Sequence, residues 1–104
     1  MITVQEAIQT LENKYPKSRI VSCVEYDDSY MFNVVPRRWD GDPWDAPAGG
    51  TVDCVRKSNG EMYSRHLSEL LDDDRPTKII DIGKYLSKED ADFIVLMKQK
   101  ESNA

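Results

Sequence analysis

The sequence predicts an α+β fold: an N-terminal helix packed on a four- or five-stranded, mostly antiparallel sheet, plus a C-terminal helix. Three observations predict it. A capped segment with helical periodicity opens the chain. Two pairs of β-branched and aromatic runs follow at hairpin spacing, and a second capped helical segment closes it. A length of 104 residues fits a single domain, 1–104. With hydrophobic residues at 39%, the core is modest and most apolar side chains are committed to it.

The first helix is announced by Thr3 and Glu6, a capping box in which the hydroxyl accepts from the third helical amide and the carboxylate reaches back. Ile2 and Ala7 are spaced for the accompanying hydrophobic staple. Val4, Ala7, Ile8, Leu11 and Tyr15 recur on one face, and Asn13 and Pro16 close the helix.

"SRIVSCVEY" and "YMFNVV", separated by "DDS", then read as an antiparallel hairpin. Tyr30, Phe32 and Val34 share one face of the second strand, and Met31, Asn33 and Val35 share the other. Both faces are partly apolar, which places this strand centrally with the helix over one side. Pro36 ends it, because proline cannot donate to a ladder. A long Pro/Gly/Trp loop, 37–50, follows with no period of either kind, and its length marks it as functional or mobile.

"TVDCVRK", "SNG" and "EMYSRHL" form a second hairpin with two possible registers. A two-residue Asn-Gly turn sets Ser58 opposite Glu61. A three-residue loop with Gly60 left-handed sets Lys57 opposite Glu61 and Asp53 opposite Arg65. This second register creates two opposite-charge pairs and is preferred for that reason. It also sets Val52 opposite His66.

The segment 67–86 is less patterned. Residues 68–71 fit a helical turn, the acidic run 72–74 reads as a solvated face or a helix terminus, and "TKIIDI" reads as a fifth strand or an extended packing segment. Ser87 starts "SKED", a second capping box, with Leu86 and Ala91 as its staple and a helix over about 88–101. Its acids lie early and its lysines late, complementing the helix dipole. Phe93, Ile94 and Met97 form the core stripe. Val95 and Leu96 widen the apolar surface enough to predict partner docking or a homo-oligomer through this helix.

A net charge of −5 argues against a nucleic-acid partner, since phosphate neutralisation needs a basic patch. No apolar run is long enough to span a membrane. The first residues lack a basic and apolar leader, so the expected location is the cytoplasm. Cys23 and Cys54 each sit in an apolar stretch and read as buried thiols, with a disulfide as the alternative. His66 has no nucleophile beside it in the preferred register. "DGDPWD" lacks the ligand spacing of a calcium loop, and no glycine-rich phosphate loop precedes a helix. No catalytic residue, metal site or cofactor is therefore predicted. What remains is Arg37, Arg38, Trp39 and Trp44, residue types that anchor protein interfaces, gathered within eight positions of the loop. They are the candidate protein-binding site, against the alternative that the indoles fold back and cap the core.

"VRKSNGEM", residues 55–62, resembles the V-D-K-x-T-G-E-V strand–turn–strand of small α+β proteins from phages and prophages of Gram-positive bacteria. It is similar also to a family of small immunity proteins of toxin loci. Val55, Lys57, Gly60 and Glu61 fit the pattern, while Arg56 and Asn59 depart from it. The resemblance covers residues 1–66 and excludes the C-terminal helix. It implies a non-enzymatic accessory protein acting in the cytoplasm of a bacterial host, and it transfers no functional residues. The expected function is thus protein binding or assembly, with an immunity or inhibitor protein that masks a basic toxin surface as the alternative.

Overall fold

The computed structural model describes residues 1–47 and 51–103, so positions 48–50 of the predicted loop lie outside the described residues. The chain runs through α1 (Val4–Lys14), β1 (Ser18–Glu25), β2 (Ser29–Pro36), β3 (Thr51–Arg56) and β4 (Met62–His66). It continues through α2 (Leu67–Leu71), β5 (Lys78–Ile80) and α3 (Lys88–Ser102), with 3-10 turns at Pro43–Asp45 and Gly83–Tyr85. The five strands form one sheet in the order β4-β3-β2-β1-β5, every neighbour antiparallel. The α+β architecture is as predicted, with β2 at the centre and "TKIIDI" supplying the fifth strand.

Strand alternation divides the core. On one face α1 lays Ala7, Ile8 and Leu11 onto Ile20 and Cys23 of β1, Tyr30 and Phe32 of β2 and Val55 of β3. Burying side chains of this size stabilises by about 1.5–3 kcal/mol each, so this layer is the main apolar term of the fold. On the opposite face lie Val52 and Cys54, both buried. The two cysteines are free and occupy opposite faces of the sheet, which excludes a bond between them in this fold. At α1 the capping box is complete: Thr3 Oγ1 accepts from Glu6 N at 3.2 Å, and Glu6 Oε1 accepts from Thr3 N at 3.1 Å.

The β3–β4 register differs from both predicted alternatives. Asp53 lies opposite Ser64, Val52 opposite Arg65 and Thr51 opposite His66. Arg56 N donates to Glu61 O, and Gly60 N donates to Arg56 O, both at 2.8 Å, so four residues, Lys57 to Gly60, make the turn. The reason is tertiary. Lys57 leaves the ladder because its amide donates to Asp28 O, its carbonyl accepts from Ile2 N, and its Nζ donates to Glu25 Oε2 at 2.7 Å. Asp53 faces α1 and accepts from the Tyr15 hydroxyl at 2.9 Å, whereas Arg65 lies on the other face. Cross-strand charge pairing, the basis of the predicted register, is outweighed by these longer-range bonds. Gly60 is left-handed as predicted, at φ +74°.

The acidic run 72–74 lies at a helix terminus, one of its two predicted readings, with Asp72 capping α2 and Asp72 and Asp74 exposed; Asp73 alone departs from a solvated face. Asp73 is not a solvated carboxylate: Arg65 Nη2 and Arg75 Nη2 both donate to its Oδ2, at 2.8 and 2.9 Å. Hydrogen bonds from Arg75, and then from Arg65, hold its pKa well below the usual carboxylate value. Both guanidiniums also lie over the Tyr26 ring, clamping the α2–β5 connection to the sheet.

Candidate contact surface

The loop after β2 is built by short-range bonds that decide where each indole points. Trp39 N donates to Pro36 O, turning the chain towards α3. The Trp39 ring meets Phe93 edge-on at 5.9 Å between centroids, and its Nε1 donates to Asp42 O at 3.0 Å. Gly41, at φ +90°, packs directly against α3; a Cβ there would lie 3.7 Å from the Met97 Cα. Asp40 Oδ1 accepts from Asp42 N, and Asp42 Oδ1 accepts from Trp44 N, which caps the 3-10 turn at Pro43–Asp45. Lys100 Nζ completes the attachment by donating to Asp40 O at 3.0 Å.

This scaffold divides the four predicted residues. Trp39 is half-buried on Phe93, the capping role weighed as the alternative. Arg37 is tied inward through Nη1 and Nη2, which donate to the two carboxylate oxygens of Asp90 at 2.9 and 3.1 Å. Arg38 is exposed, and Trp44 stands 86% exposed on the capped turn. The loop therefore brings Arg37 and Trp39 together at the α3 junction and presents Trp44 outward.

Asp90 is the hub of that junction. It is 2% exposed, yet it receives Arg37 and also Arg19, whose Nε donates at 3.2 Å. Arg19 continues to Glu89 at 2.9 Å and lies over the Phe93 ring at 4.4 Å. A buried carboxylate is tolerated only with such partners. The hydrogen bonds from Arg37 to Asp90 hold the guanidinium above its ordinary pKa. Glu12 of α1 is pushed up by burial, and further by the Asp90 charge. The Ser87 box is consequently half formed: Ser87 Oγ accepts from Asp90 N at 3.2 Å, while the Asp90 carboxylate turns to the arginines.

Two shallow depressions border Trp44. One, of about 320 Å3, is lined by Asp42, Pro43, Trp44, Lys100 and Asn103. The next, of about 330 Å3, lies along α3 between Val95, Lys98, Gln99 and Asn103, so the two share Asn103 and form one surface. Val95 and Leu96 are exposed beside it. The predicted loop site and the broad apolar helix thus adjoin each other. Such a surface can seat a protein contact with an aromatic anchor and a polar rim.

Groups with catalytic potential are placed differently. His66 is exposed at the end of β4, opposite Thr51. Burial pushes the Cys23 thiol up to about 12 and the Cys54 thiol up to about 11, so both are protonated and poor nucleophiles. Among the described residues no group of three or more His, Cys, Asp or Glu is gathered as a metal would require, and no helix is long and apolar enough to cross a membrane.

Asp90 and Arg19 were missed as functional supports. A signal was present, since Asp90, Phe93, Ile94 and Met97 share one helical stripe, and a carboxylate in a buried stripe demands a cationic partner. Comparison of the chain with protein-family models, curated proteins and solved structures returns no match.

Proposed function

We propose that this chain is a non-enzymatic protein-binding or assembly accessory protein. Its contact surface is centred on Trp44 and the adjoining flank of α3, with Arg38 at the margin. One observation carries the reading: a tryptophan 86% exposed on a turn that is otherwise pinned by hydrogen bonds. A large indole held in water by a rigid support is pre-organised, so little ordering entropy opposes its docking. In this reading Arg37 and Trp39 act by holding the turn. The resemblance of the β3–β4 hairpin to phage and prophage proteins supports a role in a mobile element within a bacterial cytoplasm.

The inhibitor reading is favoured by a different observation. Asp40, Asp42 and Asp45 flank Trp44 in the loop sequence, in a chain of net charge −5, and such an acidic stretch suits a basic toxin surface. Self-association through Val95 and Leu96 is the third form of contact this surface permits.

The test is capture by the immobilised chain, wild type against Trp44→Ala. A partner held by the wild type and lost from the variant, with the thermal midpoint unchanged, carries the proposal. A partner set indifferent to Trp44 overturns it. Capture that weakens steeply with salt selects the inhibitor form, and a concentration-dependent dimer in sedimentation selects self-association.

A further inference from the structure

A second surface lies on another flank of α3, and its chemistry differs. β5 has three residues and pairs only with Cys23, Val24 and Glu25. After Ile80 the chain turns away through Asp81 into the 3-10 turn at Gly83–Tyr85. Among the described residues no strand pairs with residues 18–22 on that side of β1. α3 runs beside this open edge instead, and a cleft of about 610 Å3 separates them. Val21, Ser22 and Cys23 line its sheet side, and Ala91, Ile94 and Val95 its helix side.

We infer that this cleft is a docking groove for an extended, apolar segment of a partner protein that carries a lysine or arginine and adds a strand to the open half of β1. Three observations support that occupant. First, an open strand edge presents backbone donors and acceptors in a row, and only another extended backbone satisfies them in register. Second, the walls are apolar, and Ile79 at the rim is 84% exposed, so apolar side chains alternating along an added strand find cover there. Third, the mouth carries two carboxylates, Asp81 and Asp92, against Lys98; Lys88 reaches Asp92 only loosely, at 3.3 Å. A cationic side chain on the incoming segment is complementary to that mouth. The cleft volume is within the range of sites that seat compact ligands. The bulge in β1 at Val21, where pairing to β2 shifts between Ile20 and Ser22, is the kind of local re-aiming that accompanies binding sites on sheets. This groove meets the Trp44 surface along α3, where Val95 and Lys98 border both, but its sheet side, its rim at Ile79 and its carboxylates are its own.

The test uses the full chain as bait for a displayed library of short random peptides. The enriched peptide is then synthesised and titrated by fluorescence anisotropy and by amide chemical shifts. Expected are alternating apolar residues with a cation, and shifts concentrated at Val21, Ser22, Ala91 and Ile94. Ile79→Lys and Asp92→Lys, both at exposed positions, should each weaken binding by about tenfold with an unchanged thermal midpoint. Trp44→Ala should leave the affinity unchanged, which separates this groove from the proposed contact surface. Failure of any peptide to enrich, shifts mapping to Trp44, or indifference to both substitutions overturns the inference. A dimer that Ile79→Lys dissociates also overturns it, by giving the groove to a second copy.

Discussion

α1 and α3 begin alike and are held differently. Each has a hydroxyl N-cap that accepts from the third residue of its helix. In α1 the third residue, Glu6, closes the box, and the helix then buries Ala7, Ile8 and Leu11 over the sheet. In α3 the third residue, Asp90, abandons the cap for two arginines, and only Asp90 and Phe93 are buried along the helix. α1 is held along its length by apolar area; α3 is pinned near its start by charge and one aromatic ring. Because so little of α3 is spent on the core, its remaining flanks are available to the loop on one side and a cleft on another.

Six substitutions test that contrast, from the largest effect to the smallest. Leu11→Ala opens a cavity beneath α1 and should cost about 3 kcal/mol in urea denaturation. Asp90→Ala leaves two guanidiniums without their shared carboxylate. Because Arg37 is 39% exposed and Arg19 keeps Glu89, the loss should be about 2 kcal/mol. If Asp90→Ala costs more than Leu11→Ala, the contrast is wrong. Gly60→Ala should cost about 1 kcal/mol through its left-handed backbone, since a Cβ would find ordinary contact with Ile2, at 3.8 Å.

Glu12 links the two helices, and its sign can be worked out. Its pKa is raised on folding, so its favourable contribution is complete below the ordinary value of 4.5 and is lost as pH rises through the raised value. Glu12→Gln should therefore unfold slightly later than wild type at neutral pH and indistinguishably from it below about pH 4. Trp44→Ala should change stability by less than about 0.5 kcal/mol. In Trp39→Phe, where Trp44 is the sole indole, emission should be red-shifted and readily quenched by iodide.

What was legible in the sequence follows the range of the interactions involved. The helix stripes, both caps, the first hairpin and left-handed Gly60 rest on neighbours within a few positions, and periodicity reveals them. The β3–β4 register rests on Lys57 meeting Asp28, Ile2 and Glu25, and on Asp53 meeting Tyr15. Those contacts exist only after the sheet and α1 have assembled, so a local charge-pairing rule chose the wrong register. Asp73 was hidden in the same way by Arg65. Within the loop, the two tryptophans look equivalent in sequence. Their separation depends on Phe93 receiving Trp39, whereas the outward turn of Trp44 was locally encoded by Asp42 and Pro43.

The placement of the two cysteines on opposite faces has a kinetic consequence. Each thiol is buried and protonated, so an alkylating reagent reaches it only during an excursion that lifts the layer above it. Cys23 times the parting of α1 from the sheet, and Cys54 times events on the face that carries Arg65. Single-thiol chains made by Cys23→Ser and Cys54→Ser thus act as two clocks in one small molecule. A common labelling rate means that the sheet sheds both coverings in one cooperative act. A faster Cys54 clock means that the charge-clamped side breathes alone, while the helix side stays shut.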